Sequence, residues 1–188
     1  METPKNILRA LAGEAMARNK YTFFASKARE DGYQQIAAIF EETADNEKEH
    51  AKRLMKLLKT FEAGAKSTLE NYDFATVGTT LENLEHAAAG EDYEFTTMYP
   101  EFAAKAKEEG QEEAACVFTE ISEVEEKHRD RYLKLKENVE KGIVFKRDGE
   151  VQWKCRNCGY IHTGAEAPAE CPACAHPQSY YEIFCQNY

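Results

Sequence analysis

Two stretches of this chain repeat the same chemistry. Glu47 and His50 stand three residues apart, as do Glu125 and His128, each pair inside a long run rich in Ala, Glu, Lys and Leu. On a helix that spacing puts both side chains on one face, a turn apart. Glu14, Glu91 and Glu94 lie in runs of the same kind. Carboxylates joined by two imidazoles suit iron or manganese better than zinc or copper. Farther on, Cys155, Cys158, Cys171 and Cys174 form two Cys-x-x-Cys pairs. Two such knuckles can close one tetrahedral four-sulfur site, for zinc or for iron.

Four long helices must position the first set. Helix A is expected to start with Thr3 as N-cap and Pro4 at the first helical position, and to end before Gly32. Helix B runs from Tyr33 to Glu62, and a Gly/Ser/Thr-containing connection follows from Gly64 to Gly78. Helix C then reaches Glu109, with a kink expected at Pro100, and helix D spans Gln111 to Lys141. Gly32 and Gly110 are placed to end helices in the left-handed conformation. Beyond Lys141-Gly142 the chain turns rich in Gly and Pro with short β-prone stretches, so a small loop-and-strand module is expected. The division is residues 1–145 and 146–188.

The helical part is a repeat. Glu30-Asp31-Gly32, Phe40, Glu47 and His50 recur 78 positions later as Glu108-Glu109-Gly110, Phe118, Glu125 and His128, while Gly13-Glu14 recurs 77 later as Gly90-Glu91. A duplicated hairpin closed by a long connection predicts a four-helix bundle. Along the apolar seams, spaced by threes and fours, Glu14, Glu47, Glu91 and Glu125 fall at core positions, with Glu94 one turn on from Glu91. A single seam Glu is ordinarily solvated, and a single seam His is ordinarily a hydrogen-bonded core residue. Together, five carboxylates at one depth cannot stay ionised without cations, since desolvating each costs several kcal/mol. Arg18, also in the seam, is one positive charge. Two divalent ions would leave about one negative charge.

The chain has 188 residues and a net charge of −10. Its pI near 5.1 argues against nucleic acid and against anionic membranes. No apolar run approaches the roughly 20 residues of a membrane span, and the N-terminus lacks the layout of a secretion signal. A cytoplasmic location is expected.

Glutamates from two helices with a Glu-x-x-His from each of two others resemble the ligand set of ferritin-like di-metal bundles. The stretches Trp153-Lys-Cys155-Arg-Asn-Cys158-Gly159-Tyr160, Ala167-Pro168-Ala-Glu170-Cys171-Pro172-Ala-Cys174 and His176-Pro177-Gln-Ser-Tyr180-Tyr181 resemble rubredoxin, although a structural zinc ribbon shares the spacing. Bundle first and four-cysteine module second, the whole chain resembles rubrerythrin. The fold expected is therefore mainly α, a ferritin-like four-helix bundle with a small C-terminal rubredoxin-like domain.

The resemblance implies a non-haem peroxidase that reduces hydrogen peroxide to water in oxidative-stress defence. Its cofactors would be two irons in a carboxylate-bridged site, oxo-bridged when oxidised, and one iron held by Cys155, Cys158, Cys171 and Cys174. By similarity Glu47 and Glu125 bridge the pair, Glu14 binds the first iron, and Glu91 and His128 bind the second. The first iron would exchange Glu94 when oxidised for His50 when reduced. Glu94 has no counterpart in the first hairpin, where Ala17 or Met16 aligns. Tyr21 and Tyr99 match family tyrosines beside the cluster, and outside that context each would be read as a core tyrosine. The donor implied is a rubredoxin or an NAD(P)H-dependent rubredoxin reductase. A head-to-tail homodimer is also implied, with room for exchanged helices across the long connection. Arg18, Cys116 and Cys185 receive no role. The competing readings are a ferritin-like ferroxidase or iron-handling protein, and an electron carrier whose bundle metal is structural.

Overall fold

The computed structural model describes residues 1–61, 66–67 and 75–187. Helix α1 (Thr3–Glu30) pairs with α2 (Gln34–Leu58), and α3 (Thr80–Tyr93) continues through a π-helical turn (Glu94–Met98) into α4 (Tyr99–Glu108), which pairs with α5 (Glu112–Glu140). Gly32 and Gly110, with φ of 84° and 72°, close the two hairpins. Most of the connection from Gly64 to Gly78 lies outside the described residues. Helix B stops at Leu58, with Lys59 as its C-cap, short of the expected Glu62. None of the described helices is long and apolar enough to cross a membrane.

The start of α1 differs from expectation. Thr3 is the first helical residue, not the N-cap, and no local side chain caps the helix. The cap comes from the far hairpin, where the Glu109 carboxylate accepts from the Glu2 and Thr3 amides and from the Thr3 hydroxyl. The arrangement is mirrored. Asp31, at the turn of the first hairpin, accepts from the amide and hydroxyl of Thr80 at the start of α3. Each hairpin's turn thus satisfies the orphan amides of the other hairpin's first helix, and these reciprocal ties hold the two ends of the duplication together. Locally, α3 also carries a capping box between Thr79 and Glu82.

Helix C is not one kinked helix. The π-turn takes up the irregularity before Pro100, which then sits in the first turn of α4, where its missing N–H is tolerated. One further seam assignment moves. Arg18 is exposed, and the inward position is Ala17.

The bundle core is in two pieces. Tyr21, Phe24, Ile36, Phe40, Leu84 and Tyr132 anchor one apolar cluster, and Ile7, Leu54, Met98, Tyr99, Phe118 and Ile121 anchor the other. Between them lies a buried layer of glutamates and histidines. The C-terminal module is a three-stranded antiparallel sheet, ordered β2 (Ile161–Glu166), β1 (Lys146–Cys155), β3 (Tyr181–Ile183). Its core is Trp153, Ala167 and Tyr181 with Cys155 and Cys171. It rests on the α1–α2 turn, where Tyr33 and Phe145 stack with ring centroids 6.1 Å apart.

Candidate metal centres

Each bundle helix delivers carboxylate to the polar layer at one level. Glu14 on α1, Glu47 on α2, Glu91 on α3 and Glu125 on α5 are all within 1 % of complete burial. Their ligand atoms and those of the two histidines form two overlapping sets, Glu14, Glu47, His50 and Glu125, then Glu47, Glu91, Glu125 and His128. Glu47 and Glu125 belong to both sets. His50 Nδ1 lies 3.0 Å from Glu47 Oε2, 3.0 Å from Glu125 Oε1 and 3.6 Å from Glu14 Oε2. His128 Nδ1 lies 3.3 Å from Glu47 Oε1, 2.8 Å from Glu125 Oε2 and 3.7 Å from Glu91 Oε2. The shared carboxylates therefore turn one oxygen to each set.

These separations fit metal ions. Ligands bound at about 2.1 Å stand about 3.0–3.4 Å apart around one ion. Among the described residues, both oxygens of Glu47 and Glu125, one oxygen each of Glu14 and Glu91, and Nδ1 of both histidines are buried without a hydrogen-bond partner. Buried polar atoms are rarely left so, and this many at one point is the pattern of a ligand shell. The electrostatics agree. Burial and the charge of Glu47 push Glu91 up to about 8. Burial likewise drives Glu14 well above the carboxylate range. Glu47, opposed by burial but flanked by both imidazoles, falls to about 2. Without cations the layer can persist only by gathering protons.

Outside the ligand atoms the two tyrosines close the layer. The Tyr21 hydroxyl donates to Glu91 Oε1 at 2.5 Å, and the Tyr99 hydroxyl donates to Glu14 Oε1. Burial, then the facing carboxylate, holds both phenols well above their usual range. Each carboxylate is thus fixed through one oxygen while the other faces the site.

Glu94 stands apart. It belongs to neither set, and among the described residues its hydrogen bonds are those of its backbone, to Gly90, Glu91 and Tyr99. Burial and the four neighbouring carboxylates raise its carboxyl well above the usual range. The first set is completed here by His50. Sequence reasoning gave no role to Tyr132, a seam residue fully buried beside the layer, and missed Ser122, which donates to the Phe95 carbonyl in the π-turn. Tyr132 replaces Leu54 in the repeat and Ser122 replaces Ala44, so a residue-by-residue comparison of the hairpins would have exposed both.

The four module cysteines also converge. Cys155 and Cys174 sulfurs are 3.8 Å apart, and Cys158 and Cys171 sulfurs 3.6 Å. A tetrahedral ion with bonds of about 2.3 Å requires sulfurs about 3.8 Å apart. The two knuckles match each other. Gly159 N–H donates to the Cys155 carbonyl and Ala175 N–H to that of Cys171. The His176 amide draws the Cys174 thiol down to about 6. At Cys158 the Tyr160 amide favours thiolate, yet the sulfurs of Cys174 and Cys171 push the thiol up to about 12. Four adjacent thiolates need a cation. Cys116 and Cys185 are exposed and take no part in either centre.

The family model for rubrerythrin matches residues 5–136, and that for the rubredoxin-like domain of rubrerythrin matches residues 153–182. The chain belongs to the rubrerythrin family. It is 51 % identical to the rubrerythrin of Porphyromonas gingivalis over 187 residues, covering 100 % of this chain and 92 % of the relative. It is 48 % identical to the rubrerythrin of Nitratidesulfovibrio vulgaris, covering 99 % and 96 %. Among solved structures, mixed-valent nigerythrin aligns at TM-score 0.66 with 37 % identity, covering 97 % of this chain and 86 % of that one. The bacterioferritin BfrA of Mycobacterium tuberculosis, at TM-score 0.65 and 20 % identity over 74 % of this chain and 87 % of that one, shares the bundle fold. Rubrerythrin membership fits a di-iron oxidative-stress protein of oxidoreductase type. The two matched domains and the cysteine cluster indicate a ferritin-like di-iron site and a rubredoxin-like four-cysteine site.

Proposed function

We propose that this chain is a hydrogen peroxide reductase, taking one peroxide, two electrons and two protons to two waters. The observation that carries the reading is the pair of ligand sets joined through Glu47 and Glu125, an arrangement that can hold two ions side by side. In this reading Glu47 and Glu125 would be shared by the two ions, Glu14 and His50 would complete the first position, and Glu91 and His128 the second. When bound, an iron pair would supply the two electrons for O–O cleavage, and an iron held by Cys155, Cys158, Cys171 and Cys174 would supply their replacements. Tyr21 and Tyr99 orient the outer carboxylates and hold protons at their hydroxyls beside the site. Glu94 holds a proton at its raised carboxyl beside the layer, and would be the carboxylate available to replace His50 at the first position. The apolar clusters on either side keep bulk water out.

The electron route favours a head-to-tail homodimer. His50 lies 17 residues along the chain from Tyr33, against which the C-terminal module packs. At 1.5 Å per helical residue that is about 25 Å, a long separation for direct electron exchange within one chain. A second copy's module, laid against the middle of this bundle, would shorten it. The external donor would be a rubredoxin or an NAD(P)H-dependent rubredoxin reductase, and the setting the cytoplasm.

Stopped-flow mixing of the anaerobically reduced, iron-loaded chain with hydrogen peroxide tests the reading. Rapid oxidation of both centres, with turnover sustained by added rubredoxin and its reductase, is the expected result. Growth of a ferric mineral would move the reading to iron handling. Slow bleaching of the thiolate-held iron alone would move it to electron carriage.

A further inference from the structure

The repeat changes step inside the second hairpin. Thr3 and Glu14 match Thr80 and Glu91 at an offset of 77, whereas Tyr21 matches Tyr99 at 78, so one additional residue lies between Glu91 and Tyr99. The π-turn Glu94–Met98 occupies that interval. A single-turn π-bulge absorbs an inserted residue while the helix on either side keeps its face. Tyr99 therefore still meets Glu14 as Tyr21 meets Glu91.

The turn leaves one carbonyl without a backbone donor. The Tyr99 amide goes to the Glu94 carbonyl. The wide-turn partner of Phe95 would be residue 100, and Pro100 has no N–H. The Ser122 hydroxyl, on α5, donates to the Phe95 carbonyl at 3.1 Å. Ser122 is 6 % exposed and Phe95 is half-buried, and a carbonyl that is shielded from solvent needs a protein donor. Its counterpart in the first hairpin, which has no π-turn, is Ala44. The two departures from the repeat face each other.

We propose that Ser122 is a positioning residue for Glu94. By replacing the donor that Pro100 lacks, it pins the π-turn in the register that keeps Glu94, the first residue of the turn, beside the carboxylate layer yet outside both ligand sets. What Glu94 does on arrival rests on the peroxide-reductase reading; the pinning of the turn does not.

The test uses full-length, iron-loaded protein carrying Ser122→Ala or Ser122→Thr. Loss of one neutral hydrogen bond corresponds to about five-fold in a local equilibrium. Ser122→Ala is expected to speed amide hydrogen exchange at Tyr99 about five-fold while α2 amides keep their rates. It is also expected to lower the midpoint potential of the iron pair relative to the thiolate-held iron, because a loosened turn lets Glu94 favour the oxidised state. Ser122→Thr, which keeps the hydroxyl, restores both. Unchanged exchange at Tyr99, a uniform increase across all helices, or a local increase with no shift in potential each overturns the proposal. If the unsubstituted protein fails to turn over peroxide, the functional reading falls, and the exchange and potential comparison still decides the role of Ser122.

Discussion

Tyr99, on the second hairpin, donates its hydroxyl to Glu14 on the first. Its repeat partner Tyr21 returns the bond to Glu91, so each half of the duplication orients an outer carboxylate of the other. A buried carboxylate deprived of such a donor loses about 1.5–3 kcal/mol. Tyr99→Phe and Tyr21→Phe should each lower the stability of the iron-loaded protein within that range in denaturant unfolding. The single-turnover peroxide rate should fall about ten-fold or more, as for loss of a positioned proton donor. The Tyr99 variant should be the slower one, because its carboxylate partner belongs to the His50 set beside Glu94.

Chelation should reverse the pH response of the fold. In metal-free protein Glu91 is pushed up to about 8 by burial and by Glu47. Burial opposes the charge of His128, yet Glu125 and Glu47 push it up to about 12. Groups with raised folded-state pKa values contribute fully below their unfolded values, about 4.5 and 6.5, and the contribution is lost as pH rises toward the folded ones. The Tm of chelated protein should therefore fall from pH 5 to pH 8. Metal-loaded protein should hold or gain over the same window, since its ligands bind deprotonated. Parallel thermal scans with and without a chelator measure the widening gap.

The helices and the acidic layer were legible because glutamates at seam positions contradict the apolar pattern around them, and a contradiction repeated in four helices has few physical resolutions. The cysteine spacing was equally plain. What local pattern could not supply was information held by partners far along the chain. Thr3 looks like an N-cap until Glu109 arrives from 106 positions away. Arg18 follows Glu14 by four, a permitted seam step, yet Ala17 at three is the inward one. Pro100 suggested a kink. The offset moving from 77 to 78 was already in the sequence, but only the π-turn gives that extra residue a place.

The second knuckle carries strain that the first avoids. Gly159 and Ala175 occupy equivalent positions with φ of 81° and 56°, and a Cβ in the left-handed region costs about 1–2 kcal/mol. Part of that is offset because glycine loses more freedom on folding. Ala175→Gly should stabilise the four-cysteine module by a net of about 0.5–1 kcal/mol. Iron-thiolate absorbance followed through a guanidinium titration reads the change; a lower midpoint would contradict it.

Two substitutions separate the centres. Glu94→Ala leaves both ligand sets intact, so the purified protein should retain two bundle irons by metal analysis while losing most of its peroxide rate. Wild-type turnover in that variant would remove Glu94 from the mechanism. Cys158→Ser changes the module and leaves the bundle untouched. Cys158 is an exposed residue, unlike Cys155 and Cys171, so the substitution falls on the solvent side of the four-cysteine centre. A pre-reduced Cys158→Ser protein should reduce one peroxide per iron pair at the wild-type rate and then stall, because the pair is no longer refilled. If the first turnover also disappeared, the bundle would depend on the module for more than electrons.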